Sequence, residues 1–157
     1  MRRKDREVTD PAWIDETLTA ADACRIALVD EGKPYIVALN YGFERSADGA
    51  LTLYFHCAKQ GKKLDIIRKN PAAAFFIDTA HELVTGPKGC DWGMKYKSVA
   101  GSGSVAFVED ADQKKKALDL IMEHYSGQTG FDYDERVFAM TEILSLKADE
   151  ISAKEKK

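Results

Sequence analysis

Residues 53–63, LYFHCAKQGKK, carry the densest run of side chains able to do chemistry in this chain. The apolar run 53–57 reads as a buried strand, and Gly61, Lys62 and Lys63 fall in the first turn of the helix that follows. A helix start offers unpaired backbone N–H groups and the positive end of a dipole. Glycine lets the backbone approach closely, and two lysines add full charge, so the corner suits a phosphate. The same residues also read as an ordinary helix start with solvated lysines, because basic first turns run against the dipole preference. Leu64, Ile66 and Ile67 give the helix its apolar face, and Pro71 stops it.

The remaining reactive residues exclude several chemistries. Cys24, Cys57 and Cys90 are odd in number, widely spaced and without a CxxC pair, so neither a disulfide framework nor a zinc knuckle is expected. His56, His81 and His124 show no metal-ligand spacing. His56 and Cys57 are strand neighbours that point to opposite faces, so they cannot form a nucleophile–base pair with each other. No G-x-S-x-G elbow is present, and hydrolase chemistry is unsupported. Residues 101–106, GSGSVA, fit the G-x-G-x-x-A dinucleotide fingerprint, but the glycines alternate with Val99, Val105 and Phe107 in a period-two pattern. They therefore sit inside a strand, where glycine marks a bulge or a close backbone approach, and a Rossmann reading is rejected.

The elements that must position these residues follow from the pattern. The chain has 157 residues, 45% hydrophobic and 10% aromatic, enough for one globular domain over 1–157 with its own core; residues 1–7 and 152–157 are expected to be loose. A net charge of -3 gives no basic field for nucleic acid, and the clusters at residues 2–4, 114–116 and 154–157 read as solvated. No apolar run approaches the roughly 20 residues that span a bilayer, and the N-terminus lacks a signal-peptide core, so a cytoplasmic location is expected. Asp10 caps a first helix with Pro11 at its first position. Strands are expected at 24–29, 35–43, 51–57, 72–77, 94–108 and 142–151. A long polar loop lies at 79–93, a helix runs from Asp110 to about Tyr125, and a short helical piece surrounds 135–140. Six strands in hairpin order with peripheral helices argue an antiparallel α+β barrel.

Four stretches in this order resemble the pyridoxamine 5′-phosphate oxidase-like flavoproteins, the FMN-binding split β-barrels, and within them the NimA-type subfamily named for 5-nitroimidazole resistance. They are residues 1–10 (MRRKDREVTD), 34–41 (PYIVALNY), 53–63 with Asn70-Pro71, and 90–99 (CDWGMKYKSV) ahead of the glycine-bearing strand. The resemblance implies a mainly β, six-stranded split barrel that holds FMN, with FAD possible, at a homodimer interface. It implies that Val37, Ala38, Leu39 and Asn40 contact the flavin ring through their backbone. His56, Cys57 and Ala58 would run beside the ribityl chain and ring edge, and Lys62 and Lys63 would grip the phosphate. Lys97 and Ser98 match a flavin-contacting position, and Trp92 and Tyr96 would lie near the ring from the partner subunit. Trp92 and Tyr96 read equally as core or interface aromatics.

His56 matches a histidine near the flavin; it would donate a proton to a reduced substrate or hold a small anion, against the alternative of a barrel histidine bonded to backbone. The ending ADEISAKEKK lacks the arginine- and tryptophan-containing segments that hold pyridoxal phosphate in the oxidases proper, so vitamin B6 oxidation is not expected. Nothing basic and extended favours a deazaflavin. The leading expectation is an FMN-dependent oxidoreductase acting on small molecules such as nitroaromatics, with the electron donor open. The alternatives are a non-catalytic flavin-binding or storage module, a haem-binding split-barrel protein with His56, His81 or His124 as axial-ligand candidates, and a purely structural interaction domain.

Overall fold

The computed structural model describes residues 3–157; Met1 and Arg2, and with them the start of the basic N-terminal cluster, lie outside the described residues. Among the described residues the strands are β1 (Glu7–Val8), β2 (Cys24–Asp30), β3 (Lys33–Leu39), β4 (Tyr41–Arg45), β5 (Leu51–Ala58), β6 (Ala72–Val84), β7 (Gly93–Phe107) and β8 (Thr141–Lys156). The helices are α1 (Pro11–Ala20), α2 (Lys62–Lys69), α3 (Ala111–Ser126) and α4 (Glu135–Met140). Every strand pair is antiparallel, in the order β3-β2-β6-β7-β8-β5-β4, with β1 on β8.

Eight strands replace the six expected, for two reasons. The stretch expected as one strand at 35–43 breaks at Asn40 into β3 and β4, and β1 adds a short pair with Ala153 and Lys154. That pair, and the ladder of β8 with β7 as far as Lys156, bring Glu7 and residues 152–156, within the stretches expected to be loose, into the sheet. Glu7, Val8 and residues 152–156 are held by long-range ladder bonds, which leave no mark on local composition. The loop expected at 79–93 shrinks to residues 85–92, because β6 and β7 continue as a hairpin arm beyond a register irregularity between Thr79 and Glu82. The arm stands clear of the core, and its cross-strand pair Leu83 and Met94 is exposed.

β3 and β4 are joined through Asn40 yet lie at opposite ends of the sheet order, so the sheet curls round and its ends meet without a ladder between β3 and β4. This is a split barrel. Its inside is filled by Ile26, Leu28, Tyr41, Leu51, Leu53, Phe55, Ile77, Val99, Leu144 and Leu146, all nearly inaccessible. Helix α2 adds Leu64, Ile66 and Ile67 to the same core, each worth about 1.5–3 kcal/mol of burial. Asp10 caps α1 by accepting from the Ala12 N–H at 3.0 Å. Gly101 and Gly103 lie within β7 at a register shift; a Cβ on Gly103 would stand 2.0 Å from the Lys147 carbonyl oxygen. Close backbone approach, not a nucleotide, accounts for these glycines.

Helix α3 lies on the outer face of β4 and β5. A Cβ at Gly42 would fall 2.6 Å from the backbone of Leu120 and Ile121, so only glycine lets the helix come this close. Beneath it Val108, Ala117 and Ile143 form a small second core with Tyr54 and Leu118 beside them.

Candidate functional site

The β4–β5 ladder pairs Tyr41 with Phe55 and stops there. Continued in the same register, Asn40 would face His56, Leu39 would face Cys57, and Ala38 would face Ala58. Instead β3 turns away and pairs with β2, matching Leu39 with Cys24 and Ala38 with Arg25. His56, Cys57 and Ala58 keep a ladder only on their other side, with Ile143, Glu142 and Thr141 of β8. The barrel therefore opens between two strand edges whose backbone donors and acceptors are not used by one another, a ready template for a ligand with its own donors and acceptors.

Along β3, Ile36, Ala38 and Asn40 are exposed while Tyr35, Val37 and Leu39 are half-buried, as the alternation of a strand requires. On β5, His56 is exposed and shares the outer face with its cross-strand partner Ile143, whereas half-buried Cys57 packs against the core. The structure thus brings Val37, Ala38, Leu39 and Asn40 to one edge of the opening and His56, Cys57 and Ala58 to the other.

The start of α2 closes one end of this opening. Gly61 precedes it at φ 142°, a conformation that favours glycine, and no side chain caps the helix. The two lysines diverge. Lys62 Nζ lies 3.0 Å from Asp30 Oδ2 and 5.4 Å from the centre of the Tyr35 ring, on the β2–β3 side. The hydrogen bond to Asp30 raises the Lys62 pKa, with the carboxylate charge adding to it. Lys63 lies on the β5 side: burial pushes the Cys57 thiol up, and the charge of Lys63 and a hydrogen bond from it oppose that shift. Lys63 is therefore the cation not already neutralised by a carboxylate in an ion pair. Asp30 and Tyr35 were not foreseen as part of this corner. Asp30 ends β2, 32 positions before Lys62, and no sequence signal pairs them.

Trp92, Tyr96, Lys97 and Ser98 are not brought to this opening. They lie on or just before β7, and β8 separates β7 from β5 while β6 and β2 separate it from β3. Trp92 is half exposed on the arm and donates its Nε1–H to the Gly86 carbonyl at 2.8 Å. Tyr96 pairs in register with Lys156. Lys97 Nζ donates to Glu16 Oε1 at 3.0 Å and stands over the Trp13 ring, and Ser98 is buried between Asp78 and Lys154. His81 meets Asp78 at 3.1 Å and His124 meets the Ala21 carbonyl at 2.9 Å, both away from the opening.

One further surface adjoins the site. On the outer face of β3, β2 and β6, Ile36 is 67% exposed, Val29 47% and Phe76 42%. Ala27 and Ala74 lie between Ile36 and the strand beyond, in register. This face reaches the β3 edge at Ile36, while Arg25, paired with Asp78 at 2.6 Å, lies in register between Phe76 and Ala38. No helix among the described residues is long and apolar enough to cross a membrane.

A family model described as pyridoxamine 5′-phosphate oxidase matches residues 10–155. The fold is similar to the crystal structure of a candidate 5-nitroimidazole antibiotic resistance protein from Bacteroides thetaiotaomicron, with 30% identity over 94% of this chain and 85% of that one, at a TM-score of 0.80. It is similar to an FAD- and haem-binding protein from Mycobacterium smegmatis, with 20% identity over 97% of this chain and 74% of that one, TM-score 0.79. An FAD-binding protein from Mesorhizobium loti shares 22% identity over 97% of this chain and 98% of that one, TM-score 0.68. No curated protein matches the chain at a significant level.

Proposed function

The chain belongs to the pyridoxamine 5′-phosphate oxidase family, and from that premise we propose that it binds FMN, or FAD in the same place, as a flavin-dependent reductase of small molecules such as nitroaromatics. The observation that carries this reading is the parting of β3 from β5 at Asn40, directly beside the uncapped, basic start of α2. A flavin phosphate needs N–H donors and positive charge, and its ring needs a flat slot with backbone partners along one edge. The two strand edges supply the partners through Val37, Ala38, Leu39 and Asn40 on one side and His56, Cys57 and Ala58 on the other. Ala38 and Ala58 leave room for a planar ring.

At the phosphate end Lys63 is the stronger grip. Lys62 shares its charge with Asp30, and a dianion placed there would stand against that carboxylate. Bound flavin would supply hydride transfer, and the protein's part is to hold the ring against the acceptor and exclude water. His56, exposed on the outer face at the edge of the opening, is the group we assign to hand a proton to the reduced acceptor.

A homodimer completes the site in this reading. Within one chain Trp92, Tyr96, Lys97 and Ser98 lie across the barrel from the opening, so a second copy is what would carry Trp92 and Tyr96 to the ring. The exposed apolar face of Val29, Ile36 and Phe76, which runs up to the β3 edge, supports pairing there.

An anaerobic absorbance titration tests the reading. The purified protein, given FMN and desalted, should retain bands near 370 and 450 nm, lose them with NADPH, and regain them on adding a nitroaromatic. Retention without bleaching by NADPH or NADH, in a flavin that dithionite still reduces, favours a flavin-binding module over a nicotinamide-driven reductase. A Soret band in place of flavin bands points to haem. A colourless protein that retains no flavin overturns the cofactor.

A further inference from the structure

The opening depends on where β3 leaves the β4–β5 ladder, and one hydroxyl stands at that point. Tyr125, in the last turn of α3, accepts the Tyr41 backbone N–H at 3.1 Å and donates to the Asp22 carbonyl at 2.9 Å. Tyr41 is the residue after Asn40. Its own hydroxyl donates to the Leu18 carbonyl, and its ring lies 4.6 Å from that of His124, whose Nε2 meets the Ala21 carbonyl at 2.9 Å. The end of α3 thus ties the first residue of β4 to the α1–β2 connection, around Ala21 and Asp22.

The direction of the Tyr41 N–H has a consequence for its neighbour. In an extended strand successive N–H groups point to opposite sides. The Tyr41 N–H shares a planar trans peptide with the Asn40 carbonyl, so holding that N–H on Tyr125 turns the Asn40 C=O the opposite way. Tyr41 is also the last residue paired with β5. Fixing it fixes both the end of the ladder and the direction of the first carbonyl beyond it.

Resting on the flavin-site reading above, we propose that the Tyr125 hydroxyl is a positioning group for that site. By holding the Tyr41 amide it sets the spacing and orientation of Asn40 and Ala38 against His56 and Ala58, between which the flavin ring lies. Tyr125 itself touches neither edge.

The test uses the full-length protein loaded with FMN. Tyr125→Phe keeps the ring and removes only the hydroxyl; Ser126→Ala removes a hydrogen bond from the same helix end, Ser126 Oγ to the Met122 carbonyl at 2.7 Å, without touching Tyr41. The expected result is an unchanged far-UV circular dichroism spectrum in both variants, with FMN binding about tenfold weaker and an altered visible circular dichroism band in Tyr125→Phe alone. A Tyr125→Phe protein with a lower melting temperature but wild-type FMN affinity and visible spectrum overturns the proposal, as does an equal effect of Ser126→Ala.

Amide exchange in wild-type, FMN-loaded protein gives a reading that needs no variant. The Tyr41 N–H should exchange as slowly as the buried ladder amides of Leu53. Exchange as fast as that of Gly130 in the exposed loop after α3 would show that nothing holds it and would overturn the role. Failure of wild type to retain FMN removes the flavin site and the positioning role together. Wild-type retention with an indifferent Tyr125→Phe removes only the latter.

Discussion

Strands β4 and β5 present two adjoining regions of opposite character. From Arg45–Leu51 to Tyr41–Phe55 they form a complete ladder, covered by α3 and sealed by the contact of Gly42 with the helix backbone. One residue further on, at Asn40 and His56, the same two chain segments separate and their edges face an opening. The two regions do not differ in strand propensity, since PYIVALNY and LYFHCA read as β throughout. They differ in what competes for β3. Where α3 presses on β4, pairing with β5 wins; beyond the helix, β2 offers a full-length partner and takes β3 instead. A binding site can thus be made by withholding a partner from a strand that is otherwise fully competent to pair.

The comparison can be broken from its closed side. Gly42→Val would drive a branched side chain into the backbone of Leu120 and Ile121, where nothing flexible can give way. The expected loss is about 3 kcal/mol or more, a fall of roughly 6–12 °C in melting temperature for a chain of this size. Calorimetry measures it, and a fall below about 2 °C would mean that α3 is not seated as described.

On the open side the largest effect is expected at the phosphate corner. Lys63→Ala should weaken FMN binding roughly tenfold to a hundredfold, as for loss of a charge-assisted bond. Lys62→Ala should cost less, because Asp30 already shares its charge. Fluorescence titration at two salt concentrations separates them, and a reversed order would reassign the grip.

Pairing of two copies is tested next. Ile36→Asp places a charge at the centre of the exposed apolar face without entering the core. It should shift sedimentation toward a monomer and loosen FMN, while the melting temperature of the flavin-free protein moves by no more than about 2 °C. A wild-type protein monomeric at micromolar concentration would remove the dimer, and a dimer indifferent to Ile36→Asp would move it to another surface.

The smallest effect belongs to pH and to the closed side again. Burial pushes the Glu44 carboxyl up, but hydrogen bonds from Lys116 and Tyr54 outweigh it, and its pKa lies below the usual value. A depressed folded pKa stabilises above the unfolded carboxylate value of about 4.3 and loses that contribution as pH falls below it. Melting temperature measured between about pH 6 and pH 3 should therefore fall less steeply in Glu44→Gln than in wild type. An identical slope would remove Glu44 from the tie between α3 and β4.

Much of this was legible in the sequence. The Asp10-Pro11 cap, the amphipathic face of Leu64, Ile66 and Ile67, and the placement of Gly101 and Gly103 inside a strand all depend on neighbours a few positions apart, and each is found as expected. The basic start of α2 was legible for the same reason. The break at Asn40 was not, because β3 and β4 share one propensity and part only through their choice of partners. The short pair at Glu7 and Val8 was not legible for a related reason: it is strand only because Ala153 and Lys154 lie beside it.

The sequence by itself determined the main helices and core strands, which of their faces are apolar, and that Gly61, Lys62 and Lys63 open a helix. Periodicity, capping and backbone preference act over a few residues and need no knowledge of the fold. The tertiary structure decided that Lys62 turns to Asp30 while Lys63 turns to Cys57, that β7 stands across the barrel from the opening, and that β3 abandons β5 for β2. Those outcomes are settled by competition between partners distant in the chain, and only the closed sheet, with α3 laid on one part of it, fixes which partner wins.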